Sequence, residues 1–199
     1  NAPRACFEVS TFSDGCRDDI QFSAACSSHG FPEGQIVLYE WHFDDDGIAD
    51  AEGPEVSHRF AAFGVFPVRL RVYDNQTPAG TAELVTEVVA TGGNSPPTAD
   101  PGPPGEATSY VTHIGEGLVL DASGSSDVDV VDCHDAITEY DWQFTGPGGV
   151  TFRRVLSTPT LALSWGDLVN LQPRPTDPGT GEPVIRVRLA VTDRYGGRQ

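Results

Sequence analysis

Carboxylates are the groups through which this chain has most chemistry to offer. "FDDDGIAD" brings Asp44, Asp45, Asp46 and Asp50 into one short stretch, with Asp18 and Asp19 upstream. "SSDVDVVDCHD" brings together Asp127, Asp129, Asp132 and Asp135. Like charges this close repel unless a cation neutralises them or they point to water. Calcium takes roughly six to eight oxygen ligands from flexible loops, and alternating aspartates before a glycine suit it. The first stretch is not an EF-hand. With Gly47 as its sixth position, His42 falls at the first and Gly53, not glutamate, at the twelfth.

Other chemistries find less support. His29, His42, His58, His113 and His134 show neither His-Glu-x-x-His nor a Cys-x-x-Cys partner, so zinc is not expected. There is no Gly-x-Ser-x-Gly elbow and no phosphate loop. Cys133 beside His134 suggests a thiol nucleophile, but aspartates around it disfavour the thiolate. Nothing requires the carboxylates to flank a sugar-sized cleft as glycosidase chemistry would. No enzyme is expected. The sequon Asn75-Gln76-Thr77 carries little weight.

The 29 acidic residues against 12 basic ones, a net charge of −17, repel nucleic acid and anionic lipid. No apolar run is long enough for direct membrane insertion. All 12 basic residues are arginine. Methionine is absent, so the chain is expected to be a processed or excised segment with a secretory signal removed upstream.

The elements that must position these carboxylates are strands. "IVLYEWHF" (36–43) alternates, with Tyr39, Trp41 and Phe43 on one face and Leu38, Glu40 and His42 on the other. "ITEYDWQF" (137–144) repeats it at an offset of 101. "FSAACSSH" (22–29) answers "LDASGSSD" (120–127), and "VRLRVYD" (68–74) answers "VRLAVTD" (187–193). The order is kept, so the chain carries a duplicated unit. "NSPPTADPGPPG" (94–105) is a semi-rigid Pro/Gly-rich connector. The expected division is a sandwich over 1–93, a linker over 94–105 and a second sandwich over 106–199. Long segments lack helical periodicity, although "WGDLVNL" (165–171) suits a short helical turn.

These segments resemble a tandem pair of polycystic-kidney-disease (PKD) domains, immunoglobulin-like sandwiches common in bacterial extracellular proteins. In the first copy the likeness rests on "SAACSS", Tyr39-x-Trp41-x-Phe43-Asp44, "VSHRF" (56–60), Gly64 and "VRLRVYD". His29 departs from it, standing where the family usually has aspartate. The second copy has "LDASGSSDVD" and Trp142 but lacks the His-x-aromatic segment, and Thr145 stands where an acid is usual. The resemblance implies an all-β chain of two immunoglobulin-like sandwiches, with each tryptophan in the core and His58 forming a turn. "TAELVTEVVA" (81–90) closes the first sheet, whereas the second copy lacks its last strand within this chain. Truncation explains that, or a strand-donating neighbour chain does.

Immunoglobulin-like topology sets the start of the first strand beside the end of the second, which pairs Cys6 with Cys26. Cys16 and Cys133 remain, and an interdomain bridge between them is expected. A free Cys133, or one paired elsewhere, is the alternative. Either pairing implies an oxidising compartment. Calcium in PKD-like domains near the paired-serine aspartate extends by resemblance to Asp127 and Asp129. The expected metal set is Asp44, Asp46 and Asp50 in the first copy, with Asp127, Asp129, Asp132 and Asp193 in the second. The expected function is a non-catalytic spacer or adhesion and assembly surface, extracellular, at the cell surface or periplasmic, with a protein or polysaccharide partner. A carbohydrate-binding accessory of a secreted hydrolase would instead need exposed aromatics, with Phe31, Phe63, Phe66, Tyr110 and Tyr195 as candidates.

Overall fold

The computed structural model describes residues 2–44, 46–102, 109–146, 149–171 and 185–199. Residues 103–105 of the expected linker, and Asp45 of the acidic run, lie outside the described residues. The chain divides into two compact units, Asn1–Asn94 with Asp132–His134, and Ser95–Val131 with Asp135–Gln199. The second unit thus begins within the expected linker, and three residues of the expected second sandwich group with the first unit.

In the first unit, β1 (Pro3–Arg4) pairs with β4 (Ser28–His29). A three-stranded sheet runs β2 (Glu8–Val9), β3 (Ile20–Ser23), β7 (Glu55–His58). A four-stranded sheet runs β6 (Ala51–Glu52), β5 (Ile36–His42), β8 (Gly64–Asp74), β9 (Thr81–Ala90). All these pairings are antiparallel. The two-residue period explains the layering: Ile20 and Phe22 of β3 point inward, as do Val68, Leu70 and Val72 of β8. Trp41 is fully buried among them, edge-on to Phe7 and parallel to Phe43. Each such buried side chain contributes roughly 1.5–3 kcal/mol by leaving water.

In the second unit, β10 (Leu118–Asp121) pairs with β13 (Thr160–Leu163). The other sheet runs β12 (Thr151–Leu156), β11 (Ile137–Thr145), β14 (Arg186–Asp193). Leu120, Leu161 and Leu163 pack with Trp142, Phe144, Leu189 and Val191 in one core. The expected turn of helix is α2 (Trp165–Asn170), started by a capping box in which Ser164 and Asp167 exchange hydrogen bonds. Its Leu168 joins the core. Both units are therefore β-sandwiches of immunoglobulin-like type. Among the described residues no helix is long and apolar enough to cross a membrane.

The repeat read in sequence recurs as hydrogen bonds. Ala24 N donates to Pro54 O, and Ala122 N to Pro159 O. Asn75 N donates to Gln35 O, and Arg194 N to Ala136 O, both at 3.0 Å. β5 carries a register shift between Ile36 and Leu38, and β11 carries one between Ile137 and Glu139. The units differ at their edges. β8 is followed by the ten-residue β9, whereas along β14, among the described residues, Gly197, Arg198 and Gln199 pair back with Asp193, Thr192 and Val191.

Candidate cation site

The last aspartate of the long strand occupies the same structural place in each unit. In the first, Asp74 Oδ1 accepts from Gln76 N (3.0 Å) and Gly80 N (2.7 Å). A Cβ on Gly80 would lie 2.5 Å from Asp74 Oδ2, so only glycine allows this approach. In the second, Asp193 Oδ1 accepts from Tyr195 N (2.7 Å) and Gly197 N (2.9 Å). What faces the carboxylate differs. His29 Nδ1 accepts from Phe31 N, so the proton sits on Nε2, which donates to Asp74 Oδ2 at 3.1 Å. Both side chains are buried. Burial alone would push Asp74 up, but the Gln76 and Gly80 amides and His29 together hold it below the usual carboxylate range.

His29 corresponds to Asp127, where the second unit gathers acids instead. Oxygens of Asp127, Asp129 and Asp135 lie within 4.8 Å of one another. Asp129, Asp135 and Asp193 are buried, and Asp127 is half-buried. Backbone amides orient them: Asp129 N donates to Asp127 Oδ1 (2.8 Å), Ser95 N to Asp129 Oδ2 (2.7 Å) and Ala136 N to Asp135 Oδ1 (2.6 Å). The buried Oδ2 atoms of Asp127 and Asp135 have no hydrogen-bond partner among the described residues. Burial pushes Asp127 up; the Asp129 amide opposes this, while the Asp129 and Asp193 charges add to it. Burial likewise pushes Asp135 up against its bond from Ala136 N, and the charge of Asp193 adds to the rise. A hard cation in an all-oxygen donor set resolves both faults, by neutralising the charge and giving the orphaned oxygens a partner. Calcium fits this set better than a metal preferring nitrogen or sulfur.

Not every expected ligand arrives. Asp132 is exposed and lies 3.6 Å from Arg17 Nε, because the single turn α1 (Val130–Cys133) directs Cys133 to Cys16 and turns its neighbour away. Asp135, absent from the expected set, takes its place. Its signal was present in the acidic run, but the turn of helix between the aspartates cannot be read from spacing. Asp44, Asp46 and Asp50 are exposed. Asp44 Oδ1 accepts from Asp46 N, Asp46 Oδ1 from Ile48 N and Asp50 Oδ2 from Phe43 N. They shape a solvated turn, and among the described residues they do not converge as the second unit's acids do.

The cysteines pair as Cys6–Cys26 and Cys16–Cys133. The second bond lies within the first compact unit, since 132–134 groups there. The acidic cluster Asp14, Cys16, Cys133 is accordingly no metal site: both sulfurs are bonded to each other and Asp14 is held by Arg17. His58 lies on β7 rather than in a turn, stacked 3.9 Å from the Phe43 ring. Of the aromatics considered for sugar stacking, Phe31 is exposed at 54%, Phe63 is buried at 2%, and Phe66, Tyr110 and Tyr195 are half-buried, so they offer no open platform.

Similarity to known proteins is found for the first unit and, more distantly, along the chain. Residues 7–88 match the family model described as PKD domain. Among solved structures, the chain is similar to a carbohydrate-binding module of the β-sandwich superfamily, at 14% identity, covering 100% of this chain and 98% of that one, with a TM-score of 0.41. It is also similar to the fibronectin(III)-like modules of Clostridium thermocellum CbhA, at 14% identity, covering 98% of this chain and 89% of that one, with a TM-score of 0.36.

Proposed function

We propose that the chain is a non-catalytic extracellular module of two PKD-type sandwiches in chain order, serving as a spacer or adhesion surface and stiffened in its second unit by calcium. The PKD match over 7–88 supports the module type, and the repeated hydrogen-bond pattern supports its extension to the second unit. Two disulfides support an oxidising location. The observation that carries the calcium is the pair of buried, partnerless Oδ2 atoms on Asp127 and Asp135. Asp127, Asp129, Asp135 and Asp193 would hold the ion, which supplies charge neutralisation and rigidity; no reaction is assigned to it.

Calorimetric titration of calcium into the chelator-treated chain tests this. Saturable binding that Asp135→Asn abolishes is expected, with melting raised by the metal. Identical melting in calcium and in chelator would overturn it.

A further inference from the structure

The outer face of the β12-β11-β14 sheet is cationic in a chain of net charge −17. Gln143 on the central strand is flanked by Arg153 on one side and Arg188 on the other. One step along the same face, Thr145 lies between Thr151 and Arg186. Cross-strand neighbours stand about 5 Å apart and same-face neighbours about 6.8 Å apart along a strand. The buried Asp141 bonds Arg153 and Arg198, and Glu139 of the same face stands 3.6 Å from Arg198, so two carboxylates answer two of the face's four arginines. Arg186 and Arg188 are exposed and have no ion-pair partner among the described residues.

We propose that this face binds an acidic polysaccharide, with Arg186 and Arg188 each taking an anionic group of successive sugars and Gln143 and Thr145 contacting hydroxyls between them. Guanidinium forks match carboxylate and sulfate bidentately, which a featureless positive charge does not. A protein partner fits less well. Interfaces between proteins centre on aromatic or aliphatic anchors, and here Val155 and Ala190 are the apolar side chains of the row beside Asp141. An exposed polar face suits a linear hydrophilic polymer. The long-range repulsion from the rest of the chain is screened beyond about 8 Å at physiological salt, leaving the local charges to act.

Affinity electrophoresis of the full chain in gels containing polygalacturonate, dextran sulfate or neutral dextran tests this. Mobility is normalised to a polymer-free gel. Retardation by polygalacturonate or dextran sulfate but not by dextran is expected, and which of the two retards separates carboxylate from sulfate recognition. The double substitution R186Q/R188Q should weaken retention about a hundredfold, roughly tenfold for each charge-assisted contact. The pair R69Q/R71Q, an equal loss of charge on the first unit, should leave it unchanged. Retention that survives R186Q/R188Q, or falls equally with R69Q/R71Q, overturns the proposal. So does no retention by either polyanion, including the case where the two arginines prove instead to drive self-association seen by light scattering. The calcium titration is independent of this face, so either result can fail without the other.

Discussion

Asp74 and Asp193 end equivalent strands, each accept from the amide two residues on and from that of a later glycine, and are both buried, yet their surroundings follow opposite electrostatic strategies. In the first unit a single imidazole N–H answers the carboxylate, and Asp74 is held in its ionised form. In the second, Asp127 stands where His29 does, more carboxylates crowd in, and Asp127 and Asp135 are pushed towards protonation. One unit carries its counter-group in the chain, and in the other the proposed ion would supply it. A duplicated scaffold can thus hold its backbone pattern while one side chain decides whether stability depends on the medium.

The sharpest way to break that comparison is His29→Asp. It faces Asp74 with a second buried carboxylate, and should lower the melting of the first unit by about 20 °C, since an uncompensated buried charge costs about 3–5 kcal/mol, the largest effect here. Fluorescence melting in chelator measures it. Retained melting would show that the His29–Asp74 pair contributes nothing. Next comes cation withdrawal, which should destabilise the second unit by about 2.7 kcal/mol relative to calcium at a hundred times its dissociation constant. Amide exchange should then rise in β11 and β14 and stay constant in β5 and β8.

The calcium increment also has a signed pH dependence. Without metal, Asp127 and Asp135 have pKa values raised above the unfolded value of 3.8, so their contribution is present below that pH and lost as pH rises through the folded values. Calcium displaces those protons, so its stabilisation should grow from about pH 4 to pH 7. An increment independent of pH would place the ion elsewhere.

The core tryptophans give a smaller contrast. Trp41 Nε1 donates to Gly53 O at 2.9 Å, whereas the buried Trp142 Nε1 has no hydrogen-bond partner among the described residues. Trp41→Phe should cost about 1 kcal/mol more than Trp142→Phe, by urea unfolding, because only the first loses a hydrogen bond. The smallest effect concerns His58, whose pKa is lowered by burial against the partial opposition of Asp50 and Asp44. A depressed histidine contributes stability above its unfolded value of 6.5 that is lost as pH falls, so the first unit should soften slightly below that pH. His58→Phe should flatten that slope.

Much of this architecture is legible in the residues. The alternation around Trp41 and Trp142 sets the central strands, and the repeated "VRL" strand sets their partners, because period-two burial leaves one solution for each. The second unit's carboxylate pole was legible as a region through Asp127, Asp129 and Asp193. Its membership was not: whether Asp132 or Asp135 turns inward depends on one turn of helix fixed by Cys133. Nor could spacing show that Asp44, Asp46 and Asp50 each cap a neighbouring amide, since an acidic turn and an acidic metal loop share their composition. The arginine face of β14 is hidden in the sequence for a different reason. Arg186 and Arg188 look like the ordinary polar half of a strand until Arg153 is placed across the sheet from them.

The bond between Cys16 and Cys133 spans a sequence separation of 117 residues and has a mechanical meaning. A pull applied through the two ends of the chain passes from Cys16 directly across the sulfur link to Cys133, so the strands β3 to β10 carry no load. Fully stretched, the bypassed stretch would add on the order of 400 Å of slack, and none of it can be released while the link is intact. Under tension the molecule should therefore yield in short steps from its far half, and lengthen abruptly only in a reducing bath.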